Sequence, residues 1–172
     1  MKILLSNSIW FLLSGIFLTF IAVDSAQAQT EKEILKIRTK VAAINKDASK
    51  YTKTTKNVED ISLEGTEATY YKSAGNLKKI TAKMYGETFN ATAEFYYADG
   101  ELIFAYLKQN QYETQIGTGK TPKVVRVEEQ RFYYSNGTLR RLLVGKKELK
   151  SGTDYDRLKK EIINISDKLK DS

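Results

Sequence analysis

Two adjacent aromatics, a glycine three or four residues on, and a leucine two residues after the glycine recur three times in this chain. The copies are Phe95-Tyr96-Tyr97-Ala98-Asp99-Gly100-Glu101-Leu102, Phe132-Tyr133-Tyr134-Ser135-Asn136-Gly137-Thr138-Leu139 and the looser Thr69-Tyr70-Tyr71-Lys72-Ser73-Ala74-Gly75-Asn76-Leu77. Aromatic runs flanking a turn glycine read as β-hairpins. Asp99-Gly100 and Asn136-Gly137 suit two-residue type I′ turns, because both turn positions need positive φ. That register sets Tyr97 opposite Leu102, Tyr96 opposite Ile103 and Phe95 opposite Phe104. In the third hairpin it sets Tyr134 opposite Leu139 and Tyr133 opposite Arg140. The first hairpin is read with a three-residue loop, Ser73-Ala74-Gly75, which places Tyr71 opposite Leu77.

Side chains alternate along a strand, so each hairpin has two faces. One face collects Ala68, Tyr70, Ile80, Ala82, Met84, Tyr96, Ile103, Ala105, Leu107, Tyr133, Leu142 and Val144. It is mainly aliphatic, and helices are expected to pack on it. The other is aromatic with scattered cations, and Leu77, Lys79, Lys83 and Tyr85 fall on it. Its candidate binding residues are Tyr71, Phe95, Tyr97, Phe104, Tyr106, Phe132, Tyr134 and Arg141, because an exposed aromatic patch often marks an interaction site. The competing readings are a strongly curved sheet whose concave side packs on itself, and a reversal of the two faces.

The expected fold is α+β: a six-stranded antiparallel β-meander of three hairpins, with an N-terminal and a C-terminal helix packed on one face. Thr30, followed by Glu31 and Glu33, reads as a helix start. Ile34, Ile37, Val41 and Ile44 then share one helical face as far as Asp47–Tyr51. Residues 52–57 read as a link, Val58–Leu63 as a short edge strand, and Lys108–Lys123 as a connection between hairpins. Thr153 and Asp156 form a loose capping box. It introduces a stripe of Tyr155, Leu158, Ile162, Ile165 and Leu169. Ahead of all this, residues 1–28 read as a secretory signal peptide, in contact with the membrane only before cleavage; the competing reading is an uncleaved membrane anchor. Lys2 leads an apolar run at Ile9–Val23, and Ala26-Gln27-Ala28 offers a cleavage site. Residues 29–172 then form a single domain, placed in the periplasm or secreted from a bacterium.

The 172 residues contain no cysteine and no histidine. Disulfides, thiolate nucleophiles and imidazole bases are therefore excluded. Gly117-Thr118-Gly119-Lys120-Thr121 lacks the leading glycine of a phosphate loop, which would fall at Thr114. Glu94 with Glu128 or Glu129 is the one carboxylate pairing worth weighing for acid–base work. A surface ion pair such as Glu94 with Arg131 accounts for it better. No cofactor or metal is expected. The net charge of +7 comes from interleaved lysines and acids, the pattern of a solvated surface.

The signal, the lysine-rich helix and the Tyr-Tyr…Gly-x-Leu hairpins resemble a broad group of uncharacterised exported bacterial proteins. The likeness rests on Tyr70-Tyr71, Tyr85-Gly86-Glu87-Thr88, Phe95–Leu102 and Phe132–Leu139. The hairpins are also similar to MORN-type repeats, with an aromatic, a glycine and a leucine each. The resemblance implies no activity. The expected function is a non-enzymatic, exported binding module acting through its aromatic face on a small molecule, an envelope polymer or a protein. The alternatives are a self-associating envelope protein and a carboxylate-dependent hydrolase. Nucleic acid is not an expected partner for an exported chain. Oligomeric state is not legible in the sequence.

Overall fold

The computed structural model describes residues 14–117 and 122–172. Helix α1 (Ser14–Asp47) ends in a single 3₁₀ turn (Ala48–Lys50). Eight strands follow: β1 (Thr52–Val58), β2 (Thr66–Ser73), β3 (Asn76–Gly86), β4 (Phe89–Ala98), β5 (Glu101–Tyr112), β6 (Val124–Ser135), β7 (Thr138–Val144) and β8 (Lys147–Leu149). Helix α2 (Thr153–Asp171) ends the chain. The strands pair antiparallel in sequence order, one uninterrupted meander.

The α+β class and the antiparallel sheet match the expectation, but the strands number eight, not six. The two additions lie at the edges. Residues 52–57, expected as a link, belong to β1, and the expected strand at Val58–Leu63 is a loop apart from Val58. Six of the seven β1 residues are exposed, so β1 carries no apolar alternation to read. The last strand, β8, is only three residues long.

The three repeats do form hairpins, each turning on two residues of positive φ. These are Ala74-Gly75 (47° and 81°), Asp99-Gly100 (54° and 82°) and Asn136-Gly137 (51° and 69°). This is the I′ geometry, whose twist matches that of the strands. The first hairpin therefore uses a two-residue turn rather than three. Beyond each turn the repeat leucine finds its partner: Leu77 opposite Lys72, Leu102 opposite Tyr97, Leu139 opposite Tyr134. The next residue on each returning strand, Lys78, Ile103 or Arg140, has no partner. Pairing then resumes as Tyr71 with Lys79, Tyr96 with Phe104, and Tyr133 with Arg141.

These one-residue bulges correct the expected register. Phe95 faces Ala105 rather than Phe104, and Tyr71 faces Lys79 rather than Leu77. An inserted residue reverses the alternation of everything after it on that strand. The faces therefore sort differently. Phe95, Tyr97, Phe132 and Tyr134 join Ala105, Leu107 and Leu142, and α2 covers them with Leu158, Ile162 and Leu169. Tyr96, Ile103, Phe104 and Tyr133 point the opposite way and meet Ile34, Ile37 and Ile44 of α1. The helices accordingly lie on opposite faces, not on one. Both faces are apolar near the hairpin tips, so both need a cover.

The helix limits also differ from expectation. Nothing between Ser25 and Gln29 breaks a helix, and α1 runs through Thr30 without starting there. The apolar run Ile9–Val23 lies partly outside the described residues; from Ser14 onward it is helical and continuous with α1. Among the described residues, no helix is long and apolar enough to cross a membrane. At α2, Gly152 is the N-cap and Thr153 is the first helical residue, so the capping box does not form. The apolar stripe is as expected, with Leu158, Ile162 and Leu169 buried and Tyr155 and Ile165 packed beside them. The connection expected at Lys108–Lys123 is shorter, because β5 continues to Tyr112.

Candidate functional site

The face opposite α2 is organised in rows that cross the strands. Where the three bulges align, one row reads Lys53, Tyr71, Lys79, Tyr96, Phe104, Tyr133 and Arg141 from β1 to β7. Cations and rings alternate along much of it. Lys53 Nζ lies 5.4 Å from the Tyr71 ring centre, and Lys79 Nζ 4.8 Å from that of Tyr96. The Phe104 ring sits 5.7 Å from Tyr96 and 4.9 Å from Tyr133.

Helix α1 is laid along this row. Near its middle, Glu31 pairs with Arg141, and Glu33 lies 3.1 Å from Arg140 Nε. Ile34 and Ile37 then cover Tyr133, and Ile44 covers Tyr96. At the far end Lys79 Nζ donates to Asn45 Oδ1 at 3.0 Å and lies 3.3 Å from Glu94. The Tyr96 hydroxyl donates to Asn45 Oδ1 at 3.0 Å and also contacts Glu94. Burial, with Glu94 adding to it, pushes the Tyr96 hydroxyl pKa far above the usual tyrosine range. Lys79 is 8% exposed, and its two polar partners and the ring face offset the cost of burying its charge.

Past α1 the same face opens. The second row reads Thr55, Thr69, Thr81, Glu94, Tyr106 and Arg131. The third reads Asn57, Glu67, Lys83, Thr92, Lys108 and Glu129. A fourth holds Tyr85, Asn90, Asn110 and Val127. The side chains of Glu67, Lys83, Glu94, Arg131 and Glu129 are between 32% and 61% exposed, and Tyr85 is exposed. The Thr55 and Thr69 hydroxyls are 2.8 Å apart, and Asn110 Nδ2 donates to Asn90 Oδ1 at 2.9 Å. The Arg131 guanidinium lies 5.4 Å from the Tyr106 ring centre.

Charges on this floor are matched locally. Lys83 pairs with Glu67 at 3.0 Å, Arg131 with Glu129 at 2.6 Å, and Glu94 with Lys79. The expected Glu94–Arg131 pair is not formed; Tyr106 stands between the two on β5. Glu94 and Glu129 share the face but sit two strands and one row apart, about 12 Å at normal strand geometry. Each is already engaged by its own cation. Glu128 falls on the other face, held by Arg126 and by Gln130 Nε2 at 2.6 Å.

The eight expected face residues are thus divided. Phe95, Tyr97, Phe132 and Tyr134 are buried under α2, on the face where the bulges in β5 and β7 place Ala105 and Leu142 in place of Phe104 and Arg141. Phe104 and Arg141 lie against α1, while Tyr71 and Tyr106 are half-buried on the α1 side. Sequence reasoning passed over Thr69, Thr81, Thr92, Asn90, Asn110 and Lys108. Their signal is the plain polar alternation of β2 to β5, as in β3, where Thr81 and Lys83 are interleaved with the buried Ile80, Ala82 and Met84. The glycine-rich segment weighed as a phosphate loop lies, from Thr118 to Thr121, outside the described residues. Compared with protein-family models, curated proteins and solved structures, the chain matches none.

Proposed function

We propose that the protein is an exported, non-enzymatic binding module whose open floor holds an extended neutral glycan chain of the cell envelope. The observation that carries this reading is the floor itself: three mainly polar rows with Tyr106 and Tyr85, left uncovered beyond α1 among the described residues. Lys83 pairs with Glu67, Arg131 with Glu129 and Lys79 with Glu94, which leaves Lys108 as the single cation left over on these rows, so the floor is nearly neutral and offers an ionic polymer little charge to hold. Threonine, asparagine and lysine offer hydrogen bonds to hydroxyl and amide groups. Tyr106 and Tyr85 offer flat apolar surface with a polar tip, suited to stacking on a sugar ring. Neighbouring strands stand about 4.8 Å apart, a regular pitch for a repeating chain lying across them. Export rests on the signal-like segment and would bring the floor to such a polymer.

The test is affinity electrophoresis and direct titration with soluble oligosaccharides of N-acetylglucosamine and with neutral polysaccharides. The expected result is binding that is lost in the double variant Tyr85→Ala, Tyr106→Ala. No binding by the wild-type protein, or equal binding by the double variant, would sink the proposal.

A further inference from the structure

We infer that the outer edge of β6 pairs with the same edge of a second copy of this chain, antiparallel, joining two sheets into one. Strands β5 and β6 are twelve residues long, but β7 accompanies β6 only from Gln130 to Ser135. The Gly145 N–H donates to the Glu129 carbonyl at 2.7 Å and closes the edge there. From Glu128 back to Val124, no strand of the described residues lies on that side. A row of unpaired N–H and C=O groups is a template for another strand.

The other edges are blunted. Strand β1 carries Lys53 and Lys56 on an exposed ribbon, and β8 is three residues long. The β6 edge is apolar instead: Val124, Val125 and Val127 are 43%, 58% and 53% exposed. Its Arg126 and Glu128 already pair with each other.

The segment Lys123-Val124-Val125-Arg126-Val127-Glu128 is complementary to itself when reversed. Antiparallel pairing brings Lys123 opposite Glu128 at both ends and Val124 opposite Val127; parallel pairing sets like opposite like. The bulge at Val125 supports this register. Tyr112 pairs with Val124 and Asn110 with Val127, so the two valines share a face, as a cross-strand pair must. Pro122 ends the ladder at one limit, having no N–H, and the turn at Gly145-Lys146 ends it at the other. Six residues a side make a small interface, so the pairing is weak and concentration-dependent. The inference does not depend on what the floor binds.

The test uses protein exported by a bacterial host expressing the full chain. In sedimentation, the wild-type average mass should rise with concentration toward twice the monomer, while Val127→Lys stays monomeric with an unchanged circular dichroism spectrum. Under oxidation the double variant Val124→Cys, Val127→Cys should form a covalent dimer that neither single variant forms. A wild-type protein that remains monomeric overturns the inference, as does dimerisation of Val127→Lys equal to wild type. Cross-linking by either single variant as efficient as by the double one overturns the register. A monomer that gains mass only with a strand-forming peptide of unrelated sequence overturns the second copy as the occupant.

Discussion

Tyr97 and Tyr134 hold equivalent places in the second and third hairpins, yet their hydroxyls end differently. The Tyr97 hydroxyl lies 3.0 Å from Ser166 Oγ, both groups buried under α2. The Tyr134 hydroxyl is buried and makes no hydrogen bond among the described residues. Tyr97→Phe should therefore strand Ser166 and cost about 1–3 kcal/mol, whereas Tyr134→Phe should be neutral or stabilising. Denaturant unfolding of the two variants side by side checks the contrast. At Gly86, an added Cβ would fall 2.2 Å from the Phe89 ring, which lies over the glycine. Gly86→Ala should cost about 1–3 kcal/mol by overpacking, read as a lower denaturant midpoint. The buried hydroxyls also set a pH limit. Burial raises the pKa of Tyr96, Tyr97 and Tyr134 well above the ordinary tyrosine value. The folded chain then retains protons that the unfolded chain releases. The resulting stability is fully present below about pH 10 and is lost as pH rises through the folded values. Stability should fall steeply above pH 10, and less steeply in Tyr97→Phe, which has one such group fewer.

Helix α1 is held differently from α2. It rests on small apolar clusters and is clamped by polar contacts, Glu31 to Arg141 and Asn45 to Lys79 and Tyr96. Removing the second clamp with Asn45→Ala should speed hydrogen exchange in the last turns of α1 and leave β4 and β5 amides unchanged. The Arg141 hydrogen bond lowers the Glu31 pKa, so the first clamp holds above the ordinary carboxylate range and weakens as pH falls through the lowered value. Elements with their own local chemistry were legible in the sequence. The I′ turns show as Asp-Gly and Asn-Gly, and α2 shows as an apolar stripe. The bulges were not legible. Lys78, Ile103 and Arg140 share no chemistry, since a bulge is a miscount between two strands rather than a property of one residue. Without the bulges, Phe95, Tyr97, Phe132 and Tyr134 are grouped with Phe104 and Arg141; with them, these four fall on the opposite face, in the core. In the first hairpin the letters mislead in another way. Aligning Tyr70-Tyr71 with Tyr96-Tyr97 matches the residue types, but Tyr71 takes the structural place of Tyr96, and Lys72 that of Tyr97.

At the scale of the molecule, the described residues form three layers: α1, an eight-stranded sheet, and α2. The α2 side is closed and carries the larger core. Among the described residues, α1 covers the other face along the bulge row, and the rest of that face is open. Two copies joined at β6 would turn both floors to the same side, because an antiparallel two-fold keeps the faces of the joined sheet. A polymer long enough to meet both would then be held by avidity rather than by a single strong site. The division of the tyrosines between the two faces underlies this account. Tyrosine nitration mapped by mass spectrometry, with and without N-acetylglucosamine oligosaccharide, tests it most directly. The account predicts that Tyr85 and Tyr106 react in the free protein and are protected by the sugar, while Tyr97 and Tyr134 stay unreactive in both. Reaction of Tyr97 and Tyr134 as fast as Tyr106, or a bound sugar that leaves Tyr85 and Tyr106 unprotected, would contradict it.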